Sequence, residues 1–372
     1  MRGNAKEKEA FTMTIQKLPF TGALPYPLEK KCLPQEAVFF DIETTGFSPK
    51  TSGVYLIGAV SYEDDCWQMC QWMSDDPEEE AKLLNAFAGL CRRHSTLIHF
   101  NGDRFDLPFL ACRARMLGIE EDFTSYGSLD LYKSFLPLKP LLKASHMNQK
   151  SLQEFINAKR EDEYTGGELI PVYRNYLLNH DDTSKQLLLL HNHDDVLGML
   201  SLLSFFAYTD FLEGDFAVRE YRTGSDDIHD FSLELILSLP TPLPRRISWG
   251  CSSFYLTAAQ QDARMLIYGL QGELKYFFPD YKNYYYLPRE DTAVHKSVAS
   301  YVDKEYRTPA RASTCYSKKS GFFLPQGSES FGPAFYEDYK SPAAYFECTD
   351  EFLASKDTLK KYIHSLLENM TG

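Results

Sequence analysis

The sequence predicts an α/β protein in two parts. A mixed sheet flanked by helices is expected over residues 35–210, after a lead-in over residues 1–34, and a smaller α+β domain is expected over residues 211–372. Three observations carry this expectation. The stretch Val38-Phe39-Phe40-Asp41-Ile42-Glu43 reads as a buried strand that ends in two acids and a Thr44-Thr45-Gly46 stop. Strand and helix patterns then follow as three strands, a helix, a strand and a helix, up to about residue 117. Beyond about residue 210 the texture changes to short alternating runs rich in tyrosine and phenylalanine.

A chain of 372 residues is long enough to bury a substantial core in two domains. With 44% hydrophobic and 24% charged residues it has the composition of a folded globular protein. The net charge of −13 excludes an overall basic field for nucleic acid, so any such contact needs a local patch or bound cations. The eight cysteines are scattered without a disulfide framework, and no second pair or nearby histidine completes a zinc site around Cys66 and Cys70. The N-terminal residues 1–6 are polar and lack the apolar run of a signal peptide. No stretch reaches the ~20 apolar residues of a membrane span. These features predict reduced thiols and a cytoplasmic location, without a membrane contact.

Taken in order, Pro19, Pro25, Pro27 and Pro34 break up the lead-in, which is expected to be peripheral. Strands are predicted at about 37–43, 53–62 and 66–72, the last two joined by a Glu63-Asp64-Asp65 turn, as an antiparallel meander. A helix begins near Pro77, with Glu78, Glu79 and Glu80 in the first turn, where carboxylates favour the helix dipole. Its apolar residues Leu83, Leu84, Phe87 and Leu90 recur at helical spacing. The strand 96–100 runs into an Asn101-Gly102 turn and a helix over about 106–117. A long apolar helix covers 187–200. Gly214, Gly224-Ser225-Asp226-Asp227 and the proline-rich 239–246 suggest a boundary and linker. After them come strands near 272–278 and 282–288, a helix over about 290–303 and a final amphipathic helix.

Three stretches carry candidate chemistry. Side chains two apart on a strand project the same way, so Asp41 and Glu43 sit side by side. Either they face solvent, or a hard cation such as magnesium or manganese relieves their repulsion. Asp106 opens a helix just after a buried strand, with Pro108 in its first turn; it is either an N-cap or a third acid of the same site. In the helix 187–200, His191 and Asp195 are four apart and share a face, while Asp194 points about a quarter-turn away. They form a buried ion pair, or a general base beside a metal ligand.

Together, Phe40-Asp41-Ile42-Glu43-Thr44-Thr45-Gly46, Asn101-Gly102-x-x-Phe105-Asp106-x-Pro108 and His191-x-x-x-Asp195 resemble the three exonuclease motifs of the DEDD superfamily. Within it the chain is most similar to the YprB-type ribonuclease-H-like proteins of bacteria. Asp130-Leu131-Tyr132, Lys150-Ser151-Leu152 and Tyr164-Thr165-Gly166-Gly167-Glu168 also fit that pattern, and the resemblance covers residues 36–207. It implies a ribonuclease-H-like fold in which Asp41, Glu43, Asp106 and Asp195 hold two divalent ions, Mg2+ or Mn2+. The implied reaction is hydrolysis of single-stranded DNA or RNA from the 3′ end. One departure stands out. The superfamily's base is a tyrosine four before the last aspartate or a histidine five before it; here position 190 is leucine and His191 takes the tyrosine's place. A histidine there can deprotonate water near neutral pH, and His193 is the poorer candidate. Thr44, Asn101 and Phe105, within the motifs, are expected nucleic-acid contacts.

Over residues 275–325, nine Lys/Arg stand against five Asp/Glu, a local +4, among twelve Tyr/Phe. Lys282 and Tyr285 there are further expected contacts, since bases stack on aromatics while cations hold phosphates. The alternative is ordinary cross-strand packing. The reading is therefore a metal-dependent 3′–5′ exonuclease domain followed by an accessory domain. The alternatives are a catalytically weak or inactive module binding nucleic acid or protein on the same fold, and a structure-specific endonuclease.

Overall fold

The structure, a computed structural model, describes residues 13–225, 227–368 and 370. The N-terminal residues 1–6, expected to be polar and free of a signal peptide, lie outside that set, as does Asp226. Two compact units result: the chain up to Lys139 with Ala144–Phe206, and Pro140–Lys143 with the chain from Ala207. The division falls at Phe206/Ala207, against the residue 210 expected from composition.

The first unit is built on a six-stranded sheet. β1 (Thr14–Phe20), β2 (Ala37–Thr44), β3 (Val54–Glu63) and β4 (Cys66–Met73) precede α1 (Glu80–Cys91), β5 (Thr96–His99), α2 (Asp106–Met116) and β6 (Gly127–Asp130). The strand order is β1-β4-β3-β2-β5-β6. Pairing is antiparallel from β1 to β2 and parallel from β2 through β5 to β6. Asp64 and Asp65 both take positive φ, 50° and 60°, which closes the β3–β4 hairpin with a turn whose twist matches its strands. Short helices α3 (Leu131–Phe135) and α4 (Lys139–Leu142) lead to α5 (Gln149–Phe155), α6 (Gly166–Asn179) and α7 (Asp182–Leu202).

The pleat sorts β2 between two cores. Val38, Phe40 and Ile42 pack with Leu83, Leu84 and Phe87 of α1 and with Phe109 and Leu110 of α2. Asp41 and Glu43 therefore project to the opposite face. On that face Tyr55, Leu56 and Met73 pack with Leu169 and Tyr173 of α6 and with Leu188 and Leu189 of α7. By length and composition the helical stretch Asp182–Leu212, including α8 (Phe206–Leu212), could cross a bilayer, contrary to the reading of the sequence. Of its apolar window, 72% is buried inside the protein, as for a core helix.

The lead-in is not wholly peripheral. β1 lies within it and pairs with β4 from Thr14↔Met73 to Phe20↔Trp67. Its burial alternates along the strand, and Pro19 is tolerated because β1 is the sheet's edge.

The second unit is sheet-rich. β7 (Ala217–Gly224), β8 (Phe231–Gly250) and β9 (Phe254–Phe277) are followed by β10 (Tyr284–Leu287), β11 (Thr292–His295), α9 (Lys296–Ala299) and β12 (Thr308–Pro309). β13 (Tyr316–Pro325), β14 (Tyr345–Glu347), α10 (Asp350–Ala354) and α11 (Lys356–Glu368) complete it. Its sheets are ordered β14-β13-β9-β8-β7 and β11-β10-β12. Two expectations fail here. The proline-rich stretch 239–246 is no linker but the middle of β8. Pro240, Pro242 and Pro244 are exposed between buried Leu239, Thr241 and Leu243. Residues two apart aim their amides at the same side of a strand, so these prolines remove donors from one side only, beyond Ser238, where pairing with β7 stops. The helix expected over 290–303 is strand β11 followed by the single turn α9, because Thr292–His295 pairs with β10. The final amphipathic helix is present as α11.

A carboxylate cleft on the first unit

Gly58 stands across from Asp41 in the β2–β3 register. Its missing side chain makes room for Asn192 of α7, whose amide a Cβ at that position would strike. Asn192 donates to Asp41 Oδ2 at 3.1 Å and accepts from Gln71 Nε2 at 3.0 Å. One buried amide thus ties β4, α7 and the first carboxylate together.

Asp106 reaches the same end of the sheet because β5 runs parallel to β2. The chain leaves β5 through Asn101, which takes a φ of 64°, and Gly102. Asp130, at the end of β6, holds that turn: its Oδ1 accepts from the amides of Asn101 at 2.9 Å and Tyr132 at 3.0 Å. Its Oδ2 is buried without a partner.

α7 supplies His191 and Asp195 one turn apart. His191 Nε2 lies 3.1 Å from Asp195 Oδ2 and 3.4 Å from Glu43 Oε1. Behind them stand two residues that the sequence did not single out. Asp162 Oδ2 is 2.7 Å from His191 Nδ1, and Arg160 bridges Asp195 Oδ1 at 2.6 Å to Asp162 Oδ2 at 2.8 Å. Asp194 turns away, as its position on the helix predicted. It accepts the amides of Glu161 and Asp162 at 2.7 and 2.9 Å and pairs with His193 at 3.1 Å.

Glu43 and Asp106 are only 6% and 7% exposed, and their protonation responds. Burial, then the charges of Asp195, Glu43 and Asp106, push Asp41 well above the usual carboxylate range. Burial pushes Glu43 up to about 8, with His191 opposing and Asp195 and Asp106 adding to the shift. Burial also pushes Asp106 up to about 7; its own amide and that of Ile42 oppose, while Asp130 and Asp195 add. Asp195 is the exception: burial favours its neutral form, but His191 and Arg160 outweigh burial and hold it below the ordinary value. At His191 burial favours the neutral ring, yet the Asp195 hydrogen bond and the charges of Glu43, Asp195 and Asp162 raise it to about 9.

A cleft of about 310 Å3 opens onto Asp41, Glu43, Thr44, Phe105, His191 and Asp195. Phe47, 81% exposed, and the first residues of α6, Gly166 and Gly167, complete its rim. Among the expected contacts, Thr44 and Phe105 line the cleft, whereas Asn101 is not part of its lining and sits in the Asp130-held turn. Lys282 and Tyr285 belong to the second unit. Lys282 sits in the turn Tyr281–Asn283, and Tyr285 lies on β10 under the cations of Arg307 at 4.9 Å and Lys296 at 5.8 Å. Arg160 and Asp162 were illegible because some thirty residues separate them from His191 and Asp195 and only the fold joins them. Asn192 did carry a signal, an amide amid the polar break of an apolar helix.

The donor chemistry fits a divalent cation. Hard carboxylate oxygens crowd one cleft, three of the four acids are driven toward protonation, and the orphaned Asp130 Oδ2 adds further negative charge to Asp106. A second cluster, His99, Asp103 and Asp130, does not fit one. His99 Nδ1 accepts the Gly102 amide at 3.0 Å, so Nε2 carries the proton and donates to Ser128 Oγ at 3.0 Å. Lys133 already neutralises Asp103 at 2.5 Å.

Residues 38–206 match the model of a family in the RNase H superfamily. No curated protein matches the chain. Among solved structures, the family B DNA polymerase from the archaeon Pyrobaculum calidifontis is similar at 17% identity and a TM-score of 0.39, over 49% of this chain and 25% of that one. Exonuclease I is similar at 11% identity and a TM-score of 0.29, over 54% of each chain. The same values hold for E. coli exonuclease I in complex with a dT13 oligonucleotide. The chain therefore spans a quarter of the polymerase and about half of exonuclease I.

Proposed function

With residues 38–206 taken as a ribonuclease H superfamily domain, we propose that this protein is a metal-dependent nuclease. In this reading it hydrolyses single-stranded DNA or RNA from the 3′ end, acts in the cytoplasm, and belongs to the YprB-type branch of the DEDD exonucleases. The observation that carries the proposal is the meeting of Asp41, Glu43 and Asp195 with His191 at one cleft, with Asp106 buried near enough for its charge to raise Asp41 and Glu43.

Asp41, Glu43, Asp106 and Asp195 would hold two Mg2+ or Mn2+ ions, which when bound acidify the attacking water and stabilise the departing oxygen. His191 Nε2, aimed at Glu43 and Asp195, would take the water's proton from the ring's neutral form, which cations on those carboxylates would favour by offsetting the charges that hold the ring protonated. Phe47 and Phe105 offer rings at the rim for base stacking, and Thr44 and the backbone at Gly166-Gly167 let a sugar-phosphate chain approach closely. Lys282 and Tyr285, within the second unit, would make nucleic-acid contacts of their own. A second reading is favoured by one observation. Arg160 already neutralises Asp195, as it would in a catalytically silent binding module.

The deciding experiment incubates 5′-labelled single-stranded DNA and RNA with the full chain in Mg2+ or Mn2+, beside an Asp41→Ala/Glu43→Ala variant. A metal-dependent ladder shortening from the 3′ end, absent in the variant, is expected. Cutting of circular strands would point to an endonuclease instead. Binding without cleavage would leave the silent module.

A further inference from the structure

Two residues of the cleft, His191 and Asp195, and the two behind them, Asp162 and Arg160, close a ring. Arg160 bonds Asp195 Oδ1 at 2.6 Å, Asp195 Oδ2 meets His191 Nε2 at 3.1 Å, His191 Nδ1 meets Asp162 Oδ2 at 2.7 Å, and that same oxygen returns to Arg160 at 2.8 Å. We infer that Asp162 and Arg160 are positioning residues of the cleft: Asp162 selects which nitrogen of His191 faces the reaction, and Arg160 reserves one oxygen of Asp195. The inference rests on the nuclease reading above.

A carboxylate oxygen with no proton of its own only accepts, so the proton between His191 and Asp162 belongs to Nδ1. Nε2 is then the nitrogen left facing Glu43 and Asp195. The Asp162 side chain is fully buried, so it cannot trade His191 for water. Rotating the ring would cost that carboxylate its imidazole partner and leave it with Arg160 and the Tyr164 amide alone. Arg160 acts on the neighbouring ligand. Its planar fork spans two carboxylates at once and occupies Asp195 Oδ1, leaving Oδ2 to meet His191 Nε2, the nitrogen that also faces Glu43.

The segment carrying both residues is itself fixed. Asp194 accepts the amides of Glu161 and Asp162, Asp162 Oδ1 accepts the Tyr164 amide at 3.1 Å, and Arg160 Nη1 reaches Gln153 Oε1 at 3.2 Å. Asp194 and Asp195 are sequence neighbours, so one point on α7 holds both the clamp and the residue it clamps. A buried pair that served packing alone would need none of this aim at a single imidazole nitrogen.

The experiment is a double-mutant cycle on the full chain, using the labelled-strand assay with saturating metal. Asp162→Asn can present an amide N–H to Nδ1 and so favour the opposite tautomer. It is expected to lower kcat ~10²–10⁴-fold with KM little changed. In a His191→Ala background the same substitution should add nothing, because the residue through which it acts is gone. Asp162→Glu, which keeps the carboxylate but shifts it, should recover part of the loss; it also serves if the asparagine variant fails to fold. A purely structural Asp162 would lower activity by the same factor in both backgrounds, and that result overturns the inference. So does an Asp162→Asn protein that cleaves like the unmodified chain. If the unmodified chain itself cleaves nothing in either metal, the nuclease reading falls, and the positioning role falls with it.

Discussion

Gly58 shows how much one missing side chain decides. It faces Asp41 across the β2–β3 pair, and Asn192 occupies the space where its Cβ would stand. Gly58→Ala should therefore push Asn192 off Asp41 and cost ~1–3 kcal/mol of stability through overpacking, with activity falling further than stability. Chemical denaturation and the strand-cleavage assay on one preparation would measure both. The acids make a second prediction. Glu43 and Asp106, raised to about 8 and 7, bind protons more tightly folded than unfolded. Their contribution therefore favours the fold at low pH and fades as pH climbs from about 4 to 8. His191, raised to about 9, acts in the same direction: its contribution is complete below its unfolded value and is lost as pH rises through 9. Asp195, held low, matters only in acid, where its contribution is lost on protonation. Without metal, the melting temperature of the first unit should fall between pH 5 and 9. Added Mn2+ should restore it more at pH 8 than at pH 6, since fewer protons must then be displaced. Calorimetry at several pH values checks this, and a Mn2+ effect equal at both pH values would contradict it.

At the scale of elements, the first turn of α6 forms part of the cleft rim. A capping box starts it: Thr165 caps the first turn while Glu168 Oε2 accepts the Thr165 amide at 2.8 Å. Gly166 and Gly167, the next two residues, form the cleft rim. Thr165→Ala should cost ~1 kcal/mol and, by loosening that rim, raise KM more than it lowers kcat. Steady-state kinetics with a short labelled strand would show the split. β1 invites a different test. It covers the edge of β4, and Thr14 Oγ1 donates to Asp75 Oδ2 at 2.8 Å. Deleting the chain through Phe20 should leave β4 as an open edge and make the protein self-associate, which light scattering would register.

For the whole molecule, the net charge of −13 sets the terms of any contact with nucleic acid. An acidic chain whose cleft is lined by the carboxylates of Asp41, Glu43 and Asp195 repels phosphate until cations enter. Strand binding should be weak in chelator and strengthen in Ca2+, a hard cation that fills oxygen sites, as fluorescence anisotropy can follow; equal binding in both would place the strand away from the carboxylates. Much of this was legible in the sequence. The pleat alone put Asp41 and Glu43 on one side of β2, and a one-turn spacing put His191 beside Asp195, because both depend on local backbone geometry. The meander, the helices after it and the final helix were legible for the same reason. Misread elements were those whose state depends on a partner far along the chain. The prolines of β8 sit where one strand edge is unpaired, Thr292–His295 is a strand because β10 lies beside it, and β1 needs β4. What tertiary structure alone decided is the inner circle of the site. Asn192 behind Asp41, Asp162 behind His191 and Arg160 on Asp195 are meetings between elements tens of residues apart or more, and periodicity along a chain carries no information about which buried charge will need which partner.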